Sequence, residues 1–538
     1  MNGAAAMVRC LEAEGITRIF GYPGVAIAPF YEEVFASGSI EHVLVRQEQA
    51  AGHAASGYAR IARKPAVCVT SSGPGAANLI TALATAYADS IPMVAITGQV
   101  NSSLLGRDVF QEADMRGATE SFVKYSYLVK NPDEIPRIMK EAFYIASTGR
   151  KGPVLIDIPC DVQMASLKKP FSYPQEVKIR GYKPSTRGND QQMNKVIAAI
   201  RKAERPLVCA GGGVILGNAE ACLRQFCEKN QIPLVTTMMG IGVLPKAHPL
   251  YFGMLGNNGK PYANRAVSAS DLLIIVGARI ADRAVPRPQH LEKQVNIIHI
   301  DIDTAEIGKN LGPTIPLVGD AGEIFERLLE EDFSLDMDPW IRELTEIKKS
   351  TVDHRTFSSR LVNPNLLVQR LSEKMEADAV YVADVGQNQL WSADNYVMKN
   401  GRFLTTGGMG TMGYSIPAAI GAKMCWPEAQ VVAVCGDGSF QMYELGTIAV
   451  NRLPLKILVV QNEFLGLVRE HQEKTYDGHY FGVQLYDYPR YDKIAEAYDM
   501  EYFSCNSNED LDQVLDGFLA CDRACIMVCR VDSANNTK

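Results

Sequence analysis

The sequence predicts an α/β fold of three doubly wound parallel-sheet domains, and three observations carry that prediction. Short apolar runs recur along the chain and alternate with helix-like stretches, the pattern of parallel strands covered by helices on both faces. The length of 538 residues exceeds what one hydrophobic core organises, and ordinary domain sizes divide such a chain into about three units. Two polar connections, near 166–188 and from about 332 to 363, supply the divisions.

In the first unit, 1–165, the runs Ala66–Thr70 (AVCVT), 93–97 (MVAIT) and 154–158 (VLIDI) read as buried strands. They lack the polar alternation of a half-exposed strand, as expected of a sheet covered on both faces. An Ala-rich stretch over 50–60, preceded by Glu48, reads as a helix. The second unit, 189–335, has strands at Pro206–Ala210, 272–277 and Asn296–Asp301 and ends in a charged helix over 324–332. The third, 363–534, has strands at 379–384, 430–435 and Lys456–Gln461. No short-period repeat is visible.

Composition excludes several classes. Charged residues make up 21% and hydrophobic residues 47%, the balance of an ordinary soluble domain. With 54 basic against 61 acidic residues the net charge is -7, and basic runs such as Lys168-Lys169 are short, so no nucleic-acid partner is expected. The start, Met1-Asn2-Gly3, carries no secretory pattern, and no window approaches the ~20 apolar residues of a membrane span. A cytoplasmic location is expected, and twelve scattered cysteines suit a reducing compartment. Cys521, Cys525 and Cys529 come closest to a metal spacing, but the latter two lie in an apolar strand-like run where cysteine acts as a small hydrophobe.

Chemistry enters with Gly436-Asp437-Gly438-Ser439, directly after the apolar run 430–435, and with Asn462, 25 residues beyond Asp437. An acid leaving a strand between glycines sits where α/β sheets bind ligands. One carboxylate plus an Asn carbonyl is a typical protein share of a Mg²⁺ shell, and a helix opening after Ser439 offers N–H groups to a diphosphate. The plain alternative is a strand–turn–helix junction using glycine for shape. A second constellation is Gly21-Tyr22-Pro23-Gly24, Arg46-Gln47-Glu48-Gln49 and Ser72-Gly73-Pro74-Gly75-Ala76-Ala77-Asn78. Taken alone, Glu48 reads as a helix-start glutamate favoured by the dipole. Gly408–Gly413 matches the spacing of a dinucleotide turn. The stretch 401–406 is too short and polar for its strand and no acid follows about 20 positions on, so that reading is rejected.

These motifs, in order with Phe110-Gln111-Glu112-Ala113-Asp114 and Gly410-Thr411-Met412-Gly413, resemble the acetolactate (acetohydroxyacid) synthase family of thiamine-diphosphate enzymes almost end to end. Residues 464–469 resemble that family's loop over the active site. The resemblance implies decarboxylation of pyruvate and its condensation with a second 2-keto acid to 2-acetolactate, in branched-chain amino acid biosynthesis. It implies that Glu48 hydrogen-bonds the coenzyme's pyrimidine, and burial would then raise its pKa. Met412 would prop the bent coenzyme and Gly410 would contact the pyrimidine through its backbone. Pro23, Gly24, Gln387, Asn388, Gly438 and Ser439 would line the coenzyme. Asp437, Asn462 and the main-chain oxygen of Phe464 would hold Mg²⁺. Phe110, Gln111 and Arg283 would meet the substrates, Arg283 through a guanidinium suited to a carboxylate.

The middle unit resembles the family's FAD-binding domain, whose flavin keeps its redox state during synthesis. Arg150, Gly212, Thr237, Asp282, Arg283, Asp301 and Asp320 match its flavin contacts, and the alternative is a flavin-free fold with these residues in ion pairs. Because Glu48 and the Asp437–Asn462 pair lie in different units, the resemblance implies a homodimer or homotetramer, and a small regulatory subunit is a further expected partner. Several positions depart from the family. Asn101 replaces Pro, His471 a Trp, Cys160 a Lys, Val25 a Gly and Asn388 a His. Asn257-Asn258 and Ile280-Ala281 also differ, the stretch 438–444 is shorter, and the chain stops soon after Val531, without the family's closing tail. These changes touch the substrate walls more than the coenzyme residues. A related carboligase or decarboxylase with another acceptor or donor, and a non-catalytic paralogue, therefore stay open.

Overall fold

The computed structural model describes residues 1–285, 288–312, 314–351, 360–442, 444–486 and 489–537. Part of the second expected connection, 352–359, and Tyr443 in the shortened stretch lie outside the described residues. Among the described residues, eighteen strands form three six-stranded sheets, and neighbouring strands pair in parallel. The first sheet holds β1 (Arg18–Tyr22), β2 (Glu41–Leu44), β3 (Ala66–Thr70), β4 (Met93–Gln99), β5 (Tyr125–Leu128) and β6 (Pro153–Pro159). The second holds β7 (Pro206–Ala210), β8 (Leu234–Thr236), β9 (Tyr251–Met254), β10 (Leu272–Val276), β11 (Asn296–Asp301) and β12 (Ile315–Val318). The third holds β13 (Val380–Ala383), β14 (Arg402–Leu404), β15 (Val431–Gly436), β16 (Lys456–Gln461), β17 (Glu501–Cys505) and β18 (Cys525–Arg530).

Central strands such as β10, Leu-Leu-Ile-Ile-Val, are buried at all five positions, because helices cover both faces of a parallel sheet. Cys525 and Cys529 are buried in β18 with the same apolar role. The sheets run β2-β1-β3-β4-β6-β5, β12-β11-β10-β7-β8-β9 and β14-β13-β15-β16-β18-β17. The first and third thus repeat one topology, while the second has the strand order of dinucleotide-binding sheets. The winding reverses between β1 and β3, between β7 and β10, and between β13 and β15, and in the first and third sheets it reverses again at the far edge, where β6 lies inside β5 and β18 inside β17. Ligands bind at such crevices, beyond the carboxyl ends of the strands.

The helices Glu48–Ala62 and Ser415–Cys425 join the first sheet to the third through one shared core, whereas the middle sheet has its own. Their crossing uses small residues: a Cβ on Gly57 would lie 2.6 Å from the Ala418 carbonyl carbon, and one on Gly421 2.7 Å from that of Ala54. Three expectations change. The connection expected from about 332 to 363 is not all loop, since Asp338–Ser350 is a helix whose Trp340 and Leu344 are buried in the middle core. The stretch 401–406 does contain a strand, the three-residue β14, which as an edge strand needs pairing only to β13. The helix expected over 324–332 is Ala321–Leu329, because the Asp320 side chain caps it by accepting the Gly322 and Glu323 amides. Among the described residues no helix is long and apolar enough to cross a membrane.

Candidate active site

The crevice between β1 and β3 gathers the residues of the first unit. Glu48 opens the helix Glu48–Ala62, which Gln47 caps by accepting the Ala50 amide at 3.3 Å. Asn78 donates to Glu48 Oε2 at 2.9 Å. Gly75 faces the same carboxylate, since a Cβ there would sit 3.4 Å from Oε1. Gly73 (φ 58) lets Gln111 close in, because a Cβ would lie 2.8 Å from Gln111 Cβ. Gly24 packs against Ser71, whose Cβ would be 2.5 Å from a side chain at that position. Glu48 is half-buried by this chain's own residues, short of the burial expected for it. Pro23 is exposed, and Phe110 and Val25 are 86% and 87% exposed.

The equivalent crevice between β13 and β15 gathers the residues of the third unit. Buried Asp437 accepts backbone amides from Gly438 (3.1 Å), Asn462 (3.2 Å) and Glu463 (2.6 Å). Burial pushes its carboxyl up to about 7, and the amide bonds only partly offset that. Asn462 donates to Gln387 Oε1 at 2.6 Å and accepts the Phe464 amide at 3.0 Å. Gln387 in turn donates to Glu470 and to the Asn535 carbonyl. The residues after Val531 fold back here, and Thr537 binds Glu470 through its amide (2.8 Å) and hydroxyl (3.0 Å). Ser439 donates to the Val385 carbonyl at 3.3 Å, and Met412 Cε would meet a Gly438 Cβ at 3.4 Å. Asn388 spends its amide nitrogen on the Asp384 (2.9 Å) and Val434 (3.3 Å) carbonyls, tying β13 to β15. The helix at this point is Asp437–Phe440, so it begins at the aspartate itself rather than after Ser439 as expected.

The middle crevice opens into a cavity of about 890 Å³. Arg150, Gly212, Thr237, Asp282, Arg283, Asp301 and Asp320 all line it, and it extends to Gly410 and His471. At its floor Gly277 (φ 55) meets Gly213, and a Cβ there would lie 2.6 Å from Gly213 Cα, so glycine is required for the close approach. Burial pushes Asp301, at the end of β11, up to about 6. Arg150 lines the cavity and also pairs with Glu306 (2.8 Å) and Asp303 (3.2 Å), the ion-pair role given as the alternative. Asp282 and Arg283 are 84% and 80% exposed and only 3.9 Å apart. His471 meets Thr475 at 3.3 Å.

The structure therefore gathers Gly24, Glu48 and Gln111 at one crevice and Gln387, Met412, Asp437, Gly438, Asn462 and Phe464 at another. Sequence reasoning missed the supports. Asp384 accepts the Gly413 (3.0 Å) and Ser415 (2.7 Å) amides and so sets the loop carrying Gly410 and Met412; an acid closing the apolar run 379–384 was its only signal. Asp89, paired with Arg60 at 3.0 Å, accepts the Gly407 and Gly408 amides, and nothing in its sequence neighbourhood marks it. Among the described residues no cluster of three or more His, Cys, Asp or Glu side chains could hold a metal.

Comparison with known proteins fits this geometry. Residues 1–118 match the thiamine pyrophosphate enzyme N-terminal TPP binding domain, 193–328 the central domain and 384–529 the C-terminal TPP binding domain. The chain is 43% identical to the probable acetolactate synthase large subunit of Methanocaldococcus jannaschii over 511 residues, 93% of this chain and 86% of that one. It is 44% identical to the acetolactate synthase large subunit of Corynebacterium glutamicum over 494 residues, covering 90% and 79% of the two chains. Against the probable large subunit of Methanococcus aeolicus it is 40% identical over 558 residues, covering 99% and 93%. With two like-wound sheets that match the two coenzyme-binding domains and relatives this similar over most of its length, the chain belongs to the acetolactate synthase family of thiamine pyrophosphate enzymes.

Proposed function

We propose that the chain decarboxylates pyruvate and condenses the remaining two-carbon unit with a second 2-keto acid to give 2-acetolactate. One observation carries the reading. The two like-wound sheets present complementary groups at their switch-point crevices, a glutamate in one and a carboxylate–amide pair in the other. In this reading units 1–165 and 363–534 hold the pyrimidine and diphosphate ends of thiamine diphosphate, and 189–335 holds FAD. Thiamine diphosphate, when bound, would supply a carbon nucleophile for a keto group and a cationic thiazolium ring to take up the electron pair left when carbon dioxide departs.

The chain's own residues bind, orient and move protons. Glu48, oriented by Asn78, is the acid that shares a proton with the pyrimidine. Met412 against Gly438 forms a wall, while Phe110, Gln111 and Arg283 meet the substrates. Pro23, Gly24, Gln387, Asn388, Gly410 and Ser439 complete the coenzyme's surroundings. The donor set at Asp437 fits Mg²⁺, since a hard cation takes oxygen ligands, keeps several from water and phosphate, and uses few carboxylates. Asp437, Asn462 and the Phe464 carbonyl would hold the cation, whose positive charge would offset the desolvation of the Asp437 carboxylate. The middle cavity fits a dinucleotide in strand order, glycine floor and size.

Half-buried Glu48 beside exposed Phe110 and Val25 leaves the first crevice open, which favours completion by a second copy in a homodimer or homotetramer. Relatives named as large subunits favour a small regulatory partner. His471, a polar wall of the middle cavity, favours one second reading, a different acceptor keto acid.

Purified protein with thiamine diphosphate, Mg²⁺ and pyruvate is expected to form acetolactate, measured colorimetrically after acid conversion to acetoin. Glu48→Gln is expected to lower turnover by about 10²–10⁴-fold. Absence of product, or full turnover by that variant, defeats the reading. A flavin absorption band checks FAD, and product ratios from pyruvate with 2-ketobutyrate decide the acceptor.

A further inference from the structure

Strands β4 and β6 lie side by side with Thr97 opposite Asp157 and Gln99 opposite Pro159. Every residue of β6 is buried, and in its middle stands a carboxylate, Asp157, 2% exposed. Burying a carboxylate costs free energy that an apolar residue of similar size would avoid, so stability alone does not explain it. Its partners suggest another purpose. Thr97 donates its hydroxyl to Oδ1 at 2.7 Å, and the Gln99 amide nitrogen donates to Oδ2 at 2.9 Å. The same nitrogen donates to the Ala113 carbonyl at 2.7 Å, while Gln99 Oε1 accepts the Val100 amide at 2.9 Å. Gln99 thereby binds the first residue of the loop 100–114 and a residue near its end.

A second carboxylate, in the short helix Cys160–Met164 that follows β6, does the same for the loop's start. Asp161 accepts the Ser102 amide at 2.8 Å and the Ser102 hydroxyl as well. Within the loop, Glu112 accepts the Gly106 amide and the Val109 amide, the latter at 3.1 Å. At its crest sit Phe110, 86% exposed, and Gln111, held at φ 57 against Gly73. A non-glycine residue in the left-handed region costs on the order of 1 kcal/mol and persists only where its surroundings hold it there.

We infer that Asp157 is a positioning residue for substrate binding: through Gln99 it clamps both ends of the loop 100–114 and so fixes Gln111 at the glutamate crevice. This deepens the proposed function and rests on the substrate-facing role given there to Gln111. Asp157→Val removes both acceptors. Gln99→Met removes the relay and leaves the carboxylates in place, so it serves if the first variant fails to fold. Asp157→Asn keeps the clamp, because its amide oxygen accepts from Gln99 while the Thr97 hydroxyl turns to accept from its nitrogen.

The experiment pairs hydrogen–deuterium exchange of peptides spanning 100–114 with pyruvate kinetics on the complete chain with thiamine diphosphate and Mg²⁺. Expected for Asp157→Val and Gln99→Met are faster exchange confined to that loop and a KM for pyruvate raised at least tenfold, with kcat changed less. Asp157→Asn is expected to restore both to within twofold. The inference is overturned if exchange is unchanged in Asp157→Val and Gln99→Met, if exchange quickens without a change in KM, or if only the melting temperature falls. Should the unaltered protein fail to turn over pyruvate, the proposed function falls separately. Loop exchange then decides the clamp alone, faster in both variants for it and unchanged against it.

Discussion

Alanine is a better helix former than glycine by about 1 kcal/mol, so propensity alone predicts that Gly57→Ala and Gly421→Ala stabilise their helices. The structure predicts the opposite sign. A Cβ on Gly57 would lie 2.6 Å from the Ala418 carbonyl carbon and one on Gly421 2.7 Å from that of Ala54, whereas ordinary contact begins at 3.4 Å. The obstacles are backbone atoms and cannot rotate away. Admitting either methyl separates the helices by roughly 1 Å, a gap that forfeits a quarter to a half of each facing contact. Overpacking of this kind costs about 1–3 kcal/mol, which exceeds the propensity gain. Once one methyl has parted the helices, the second finds room. The double variant should therefore cost at least about 0.5 kcal/mol less than the sum of the singles. Urea titration followed by tryptophan fluorescence measures this, since Trp426 packs on the same core. Turnover should fall in parallel, because the helix Glu48–Ala62 carries Glu48 at its first position. A single variant as stable as the parent, or strict additivity in the double, would refute the reasoning.

Asp157 should make stability depend on pH. Burial raises its carboxyl from 3.8 to about 7, with Asp114 adding repulsion, so the folded chain binds more protons than the unfolded chain between those values. Its contribution is full below pH 3.8 and is lost as pH rises through 7, roughly 4 kcal/mol over the window. Asp157→Asn should remove this slope, gaining on the parent from pH 5 to pH 8; denaturant midpoints that shift equally at both pH values would contradict it. Chelating divalent cations should abolish turnover reversibly, and Asp437→Asn should raise the Mg²⁺ concentration for half-maximal turnover by at least about tenfold. An unchanged Mg²⁺ requirement removes Asp437 from the metal role.

Several elements are legible in the sequence. The ranges Ala66–Thr70, Pro206–Ala210, Asn296–Asp301 and Lys456–Gln461 are strands over the very residues that read as buried apolar runs, because a strand covered on both faces leaves a continuous signature. β14 was not legible, since an edge strand of three residues carries too little apolar sequence to stand out. The helix Ala321–Leu329 begins before the expected 324, because its start is fixed by the Asp320 side chain, a cap that shows only in the contact it makes. At the candidate site, Glu48, Gln111, Asp437 and Asn462 were found as residue types in motifs. Asn78 stood at the end of a motif with no role attached, and Asp384 and Asp157 were not found, because a supporting side chain is recognised only by the atom it touches.

By itself, the sequence determined the residue chemistry and the alternation of strands and helices, both written locally in residue type and apolar period. Only the tertiary structure decided which strand ends face one another. The shared winding of the first and third sheets, the dinucleotide order of the second, and the meeting of Gly213 with Gly277 depend on strand neighbours distant in sequence. A parallel sheet joins strands through crossovers of a dozen residues or more, so strand order is set by how helices pack across the whole domain, and no local stretch of sequence records it.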